Sequence, residues 1–418
     1  MVTERILIRG GYVLTMDPEL KDLPHGDVLL EGDRIAAIRP HLDAGGAQVV
    51  DAHGCIVMPG FVDTHDHIAD IRRGILDFES WGPLANLAFG VTTAFDPSPL
   101  SIDMLAYQDA VDTGQMLGSR IASTGPAIFS FNEFESYAQV RAVLSRYRDD
   151  YRVGNIKMYR SGNRRVRQWI IMAARELGLQ PTTEGALSMK LDISQIIDGY
   201  AGNEHALTAV PLYADMLALV AKSGVGWTAT LQITNGGPEG QDYFIVRDHP
   251  AEDAKLHRFA PSFVVDMKTR VRTYREPGEY LFPRVAASVA AAQRAGGLIG
   301  IGAHGEMPGL GFHWELQAHT MGGMTPAEAL RAGTIGSATH IGRGVEFGSL
   351  EPGKYADLVI LERNPLTDIS NTLAIAAVME GGRLRDGATL AELWPESRPL
   401  PRRWYCDDRP PGTRDPCD

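Results

Sequence analysis

From Arg5 to about Val57, apolar and polar residues alternate in short runs: RILIRGGYVLTMD, GDVLLEGDRIAAIRP and AQVVDAHGCIVMPG. A period of two punctuated by Gly-Gly and Gly-Asp is the signature of antiparallel strands joined by tight turns. The same texture returns in GSLEPGKYADLVILERNPL and IAAVMEGGRLRDG. Two strand-rich segments flanking a long middle predict a small β-sandwich domain built from both termini, residues 1–57 with 345–395. In the middle, strand-like pieces alternate with helical ones. IVMPGFV is followed by GVTTAFD, RIASTGPA, NIKMYR, GLQPTTEG, GNEHAL, GWTATLQIT and GLIGIGAHG. Helical periodicity fits RRVRQWIIMAARELG, VPLYADMLALVAKSG, FPRVAASVAAAQRAGG and TPAEALRAGTIGSATHIG. About eight strand–helix repeats over residues 58–344 predict an α/β chain whose main domain is a (β/α)8 TIM barrel. Asn235 to Glu279 interrupts the alternation with a long, polar, aromatic-spotted stretch. It reads as an insertion after the seventh strand that covers an active site. Residues 396–418, rich in Pro and charge, are expected to form an irregular tail.

Composition narrows the partners. The chain has 418 residues, room for one barrel-sized domain plus a smaller one. Its 40 Lys+Arg against 52 Asp+Glu give a formal charge of −12, the opposite of the basic field a nucleic-acid binder carries. Cys55, Cys406 and Cys417 cannot make a disulfide framework, and no CxxC spacing exists. No apolar run reaches the ~20 residues of a membrane span, and no signal-peptide core follows Met1 to Gly10. The expectation is a cytoplasmic protein, a homo-oligomer, acting on a small molecule without membrane or nucleic acid.

The strongest local signal is MPGFVDTHDH, Met58 to His67. After the strand IVMPGFV, His65 and His67 lie two apart, and period two aims both imidazoles to one side. In a β/α barrel that strand end is where active sites sit. Two convergent imidazoles suit a borderline divalent metal such as Zn, Fe, Mn or Ni; the alternative is a pair of surface histidines. PGFVDTHDH, the split sheet segments and the closing GSLEPGKYADLVIL together resemble the amidohydrolase superfamily, from about Arg5 to Leu390. That resemblance implies a metal-bearing TIM barrel. Its usual ligands are the HxH pair, a carboxylated Lys or Glu after strand four, and His after strands five and six. An Asp after strand eight activates water.

Carried over residue by residue, the resemblance makes Lys157, in GNIKMYR, the bridging lysine, against a plain salt bridge. It makes His205, in GNEHAL, the strand-six ligand, against a hydrogen-bonded core histidine. Two positions depart from the pattern. After strand five the expected His is replaced, and the titratable group in QPTTEGA is Glu184. After strand eight the expected Asp is replaced in GAHGEMPG, where His304 ends the strand and Glu306 follows. These two are the catalytic candidates, and His304 is also a ligand candidate. (GIGAHG matches a dinucleotide-loop pattern, but the context that loop needs is missing.) The expected metal set is therefore His65, His67, Lys157, Glu184, His205 and His304, holding two divalent transition-metal ions.

A mixed imidazole and carboxylate cluster without the strand-eight Asp also resembles the nonheme diiron hydroxylases of platensimycin-type diterpenoid biosynthesis. The favoured reading is accordingly a diiron monooxygenase, with Fe before Zn and with O2 and a reductant, hydroxylating a C–H bond of a natural-product intermediate. The alternatives are a metal-dependent hydrolase of amide, cyclic amide or peptide bonds, and a non-catalytic scaffold. Asp66 is expected beside the ligands or facing solvent, and Asp96 at a turn. His313 and Glu315 are expected to open a helix. Arg164, Arg165 and Arg167 offer a solvated face or a dock for an anionic substrate, and Tyr243 and Phe244 a lid or plain packing.

Overall fold

The computed structural model describes residues 4–68, 78–100, 102–185, 187–234, 237–270 and 275–406. Strands from both ends of the chain form one continuous nine-stranded sheet. The halves join where Ile56–Pro59 pairs antiparallel with Leu358–Leu361. Alternation decides what each face does. Val57, Leu358 and Ile360 pack with Ile6, Val28 and Trp394 in the sheet's own core. Ile56, Met58, Val359 and Leu361 point the other way, into the large core shared with Leu87, Phe89 and Phe312. LVIL is apolar throughout because both of its faces are buried. The expected sandwich domain is built as one continuous sheet, bent around its own core so that two of its turns meet. Gly382 (φ +73°) lies so close to Gly32 that a Cβ would stand 2.4 Å from the Gly32 carbonyl oxygen.

Eight parallel strands make the second layer. Phe61–Asp63, Val91–Asp96 and Arg120–Ser123 form one group of three. Asn155–Met158, Gln180–Thr183, Gly202–Glu204, Gly226–Thr228 and Leu298–Gly300 form a group of five. Backbone hydrogen bonds join the groups at both seams. The Thr64 N–H donates to the Ile301 carbonyl (2.9 Å), and Ile128 N–H to Lys157 (2.9 Å) with Tyr159 N–H to Ile128 (2.7 Å). The strands are named below by their order, first to eighth. Helices follow them in α/β fashion. Arg164–Leu177 is representative: Val166, Ile170, Ala173, Ala174 and Leu177 recur on one buried face. Asn163 caps its start by accepting from Val166 N–H, and Gly178 ends it at φ +69°.

Two expectations change. The insertion after the seventh strand is helical rather than a long loop, with helices Gly240–Asp248, Ala254–Phe259 and Ser262–Thr269. Phe244, Ile245, Leu256, Phe259, Val264 and Val265 bury their faces in the large core. Phe244 stacks on Trp314 (centroids 5.7 Å, 13°), so packing rather than a lid is its role. In the tail, Tyr405 and Cys406 are buried in that same core, while residues 407–418 lie outside the described residues. No helix among the described residues is long and apolar enough to cross a membrane.

Candidate metal centre

Four imidazoles meet at the C-terminal ends of the barrel strands. His65 and His67 lie just past the first strand, His205 directly follows the sixth, and His304 stands four residues beyond the eighth. In five of the six pairs the ring centroids are 4.6–5.5 Å apart. His205 (φ +71°) and His304 (φ +66°) both have left-handed backbone, a cost usually tolerated at functional positions.

Each ring has the same arrangement. His65 Nδ1–H donates to Glu204 Oε2 (2.8 Å), and His304 Nδ1–H to Glu306 Oε1 (3.0 Å). His67 Nδ1 faces Asp96 Oδ1 at 3.4 Å. The Thr230 hydroxyl donates to the Ala229 carbonyl, so its oxygen accepts from His205 Nδ1–H (2.8 Å). With the Nδ1 atoms facing oxygen partners, the Nε2 atoms of His65, His67 and His304 are left for the centre, while His205 Nε2 stands 3.1 Å from Glu184 Oε2. Burial drives His65 well below the ordinary histidine value, against the pull of Glu204. Burial, aided by His67 and His205, lowers His304 to about 4 despite Glu306. Both are therefore neutral near pH 7. His65 Nε2 and His67 Nε2 stand 3.1 Å apart, and two bare nitrogens that close repel unless a proton or cation lies between them. Ligand atoms of His65, His205 and His304 all lie within 4.8 Å of one another. Convergent imidazoles with oriented Nδ1–H groups are the donor set a borderline divalent metal selects, so the residues present fit such an ion.

Glu184 and Lys157 complete the group. Lys157 is fully buried with Nζ 3.2 Å from Glu184 Oε2, and that oxygen is 3.1 Å from His205 Nε2. Burial would discharge Lys157, but Glu184 and Glu204 outweigh it and hold the ammonium above its usual value. Burial would likewise raise Glu184, but Lys157 and His205 bring it down to about 2. As an unmodified side chain, Lys157 thus faces Glu184 as an ion pair. Glu306 is held from both sides: its second oxygen accepts from Lys268, on the insertion helix Ser262–Thr269.

Glu204 was not foreseen. It sits beside His205 in a three-residue buried strand, where an acid is the only sequence signal of an inward role. Its carboxylate takes hydrogen bonds from His65 and the Thr182 hydroxyl and lies 3.8 Å from His340 Nε2. Two other expectations are corrected. Asp66 does not face solvent: it is buried and accepts from Asn86 Nδ2 (2.5 Å), whose Oδ1 accepts from Gly309 N–H. His313 and Glu315 do not open a helix but sit inside Leu310–Met321, fully buried. His313 bridges the Phe89 carbonyl and the Thr372 hydroxyl, and Glu315 accepts from Leu231 and Gln232 N–H. Asp96 does accept a turn hydrogen bond, from Ser98 N–H (2.9 Å), while also facing His67. Arg164 is matched by Asp198 at 2.6 Å.

Residues 305–385 match the sequence model of the amidohydrolase family. A Xaa-Pro dipeptidase structure with methionine bound in its active site superposes with a TM-score of 0.70 at 17% identity, covering 92% of this chain and 100% of that one. The chain has the amidohydrolase fold. Molinate hydrolase superposes equally well, at 0.70 and 19% identity, over 93% of this chain and 96% of its own. The 5'-deoxyadenosine deaminase of Methanococcoides burtonii is 52% identical over 73 residues, 17% of each chain. The chain thus aligns with only about a sixth of that curated relative's length. A deaminase, a dipeptidase and a hydrolase are hydrolytic by name, and none of the three is an oxygenase. This overturns the diiron monooxygenase reading and leaves its iron, O2, reductant and natural-product substrate without support. The physical reason lies in His304. The residue that replaces the expected Asp leaves a proton-accepting nitrogen at the strand-eight position, so the substitution does not remove the means of hydrolysis.

Proposed function

We propose that this protein is a metal-dependent hydrolase of a carbon–nitrogen bond in an amide, cyclic amide or similarly activated small molecule. The observation that carries the reading is the convergence of four Nδ1-anchored imidazoles on one point at the strand ends. In this proposal His65, His67, His205 and Glu184 hold the metal. Bound there, a divalent ion would supply a polarised water at neutral pH. The chain's own work is proton handling and orientation. His304 Nε2 faces the centre while its Nδ1–H is fixed by Glu306, so the ring can accept a proton at Nε2 and share the resulting charge with Glu306. Lys268 keeps Glu306 ionised and in place, with burial outweighed by His304 and Lys268 to bring its carboxyl down to about 2. Lys157 holds Glu184 as a carboxylate throughout. The small-molecule partner and the number of ions held belong to this proposal as well.

The experiment is anaerobic turnover. Chelator-stripped protein reloaded with zinc or manganese should release amine or ammonia from members of an amide and cyclic-amide panel without O2. The stripped protein should be inactive, and His304→Ala should lose activity by about a hundredfold or more while keeping its metal. Metal-loaded protein that leaves the whole panel intact would end the hydrolase reading.

A further inference from the structure

A fifth histidine lies inside the barrel, away from the four that meet at its mouth. His340, on the helix Ser337–His340, is buried among the starts of three strands. A Cβ on Gly202 would stand 3.1 Å from its Nε2, and one on Gly226 or Gly300 would stand 2.7 or 3.0 Å from its Nδ1. The sixth, seventh and eighth strands thus each give up a side chain where the ring sits. A barrel interior is ordinarily filled by branched apolar side chains of its own strands. A polar ring brought in by a helix instead must engage its nitrogens, or its burial is a plain cost.

Both nitrogens face oxygens. Nε2 stands 3.8 Å from Glu204 Oε1 and makes no shorter hydrogen bond among the described residues. Nδ1 lies 3.5 Å from the Thr228 hydroxyl, which lies 2.8 Å from the Thr64 hydroxyl. A carboxylate only accepts, so the nitrogen facing Glu204 carries the proton and Nδ1 accepts from Thr228. On the far side of Glu204, Oε2 accepts from His65 Nδ1–H (2.8 Å), while the Thr182 hydroxyl donates to Oε1. One carboxylate therefore joins His340 to a ring of the metal centre. The contacts run Thr64, Thr228, His340, Glu204, His65: they leave the first strand's end and return to it one residue later.

We infer that His340 is a positioning residue for the metal centre. It holds the Glu204 carboxylate in the orientation that aims His65 Nε2 at the ion, so affinity for the ion is set in part from the barrel floor. The inference rests on the imidazole cluster being a metal site and requires no particular reaction there.

The test is the zinc affinity of the full chain, measured by competition with a chromogenic chelator. His340→Leu keeps bulk without a donor, and His340→Gln offers an amide N–H at similar reach. Direct partners of ligand histidines change metal affinity about 10- to 100-fold. One step further out, His340→Leu should weaken zinc about three- to tenfold, and His340→Gln should stay within about twofold of the unaltered chain. In a Glu204→Gln background His340→Leu should have almost no further effect, because both changes act through one carboxylate. His340→Met serves in place of His340→Leu if the latter does not fold. Unchanged affinity in His340→Leu, an equal loss in His340→Gln, or an undiminished loss in the Glu204→Gln background overturns the inference. Zinc that fails to bind the unaltered chain ends the metal-site reading and this inference with it. The expected affinities without hydrolysis of any amide remove only the hydrolase reading.

Discussion

Glu204 is a fully buried carboxylate that stays ionised. Burial would push its proton affinity up, but His340, His65 and Lys157 outweigh this and hold it well below the usual carboxylate range. Desolvating a carboxylate costs several kcal/mol, offset here by hydrogen bonds from His65 and Thr182 and by the Lys157 charge. The useful consequence is that His65 Nδ1 must carry the proton, which leaves Nε2 as the only lone pair pointing at the centre. A histidine whose Nδ1–H meets a carboxylate is also the more basic ligand. Glu204→Gln keeps the volume and one acceptor but removes the charge. Its metal affinity, measured by competition with a chromogenic chelator, should fall about 10- to 100-fold, with the thermal midpoint little changed. Affinity equal to that of the unaltered protein would make Glu204 a purely structural acid.

At the scale of elements, the barrel leaves room on its floor for one imidazole. Gly202, Gly226 and Gly300 sit on the sixth, seventh and eighth strands, and a Cβ on Gly226 would stand 2.7 Å from His340 Nδ1. His340 arrives on the short helix Ser337–His340, after a π-helical turn, Ala332–Gly336. There the Ser337 hydroxyl accepts from Ile301 N–H. Gly226→Ala should cost about 1–3 kcal/mol by overpacking, and distinctly less in a His340→Ala background, because the two share one space. Denaturant unfolding of the four proteins measures the coupling, and additive costs would show that the two side chains do not compete. This floor, like Glu204, was hidden in the sequence for a geometric reason. Neighbours on a strand point apart, so Glu204 and His205 reach one centre only because His205 turns to φ +71°. By contrast, the His65–His67 pair was legible from period two, and Glu184, His205 and His304 were picked out by strand order together with the resemblance to the amidohydrolase superfamily. The insertion helices were not, because Leu256, Phe259, Val264 and Val265 are scattered among Lys, His and Arg and show no clean period. Nor does an all-apolar strand such as Leu358–Leu361 reveal that one of its faces meets the barrel rather than a second sheet.

For the whole molecule, the buried acids fall into two opposed classes, and their balance sets how stability follows pH. Burial lifts Asp192 and Glu315 each to about 7, in Asp192 with Glu184 adding to the effect and in Glu315 against hydrogen bonds from Leu231 and Gln232. A carboxyl raised in the folded state binds protons the unfolded chain has released. Its share of stability is complete below about pH 4 and is lost as pH rises through 7. Glu184 and Glu306, both lowered to about 2, do the reverse. Their share is present above about pH 4.5 and is lost as pH falls towards 2. The depressed histidines, His65 and His304 among them, lose their share as pH falls from about 6.5 towards 4, so the metal-free protein should be most stable near pH 6 to 6.5. Each rise to about 7 corresponds to at most about 4 kcal/mol, enough to lower the melting midpoint by several degrees between pH 6 and 8.5. Asp192 is 3% exposed, so water does not screen the effect. Asp192→Asn should therefore flatten the alkaline limb and leave the acid limb in place. Scanning calorimetry of chelator-treated protein across pH 3 to 9 makes the comparison. A midpoint that keeps rising to pH 8.5 would mean that Asp192 and Glu315 are already ionised when buried, their charges held by the surrounding hydrogen bonds.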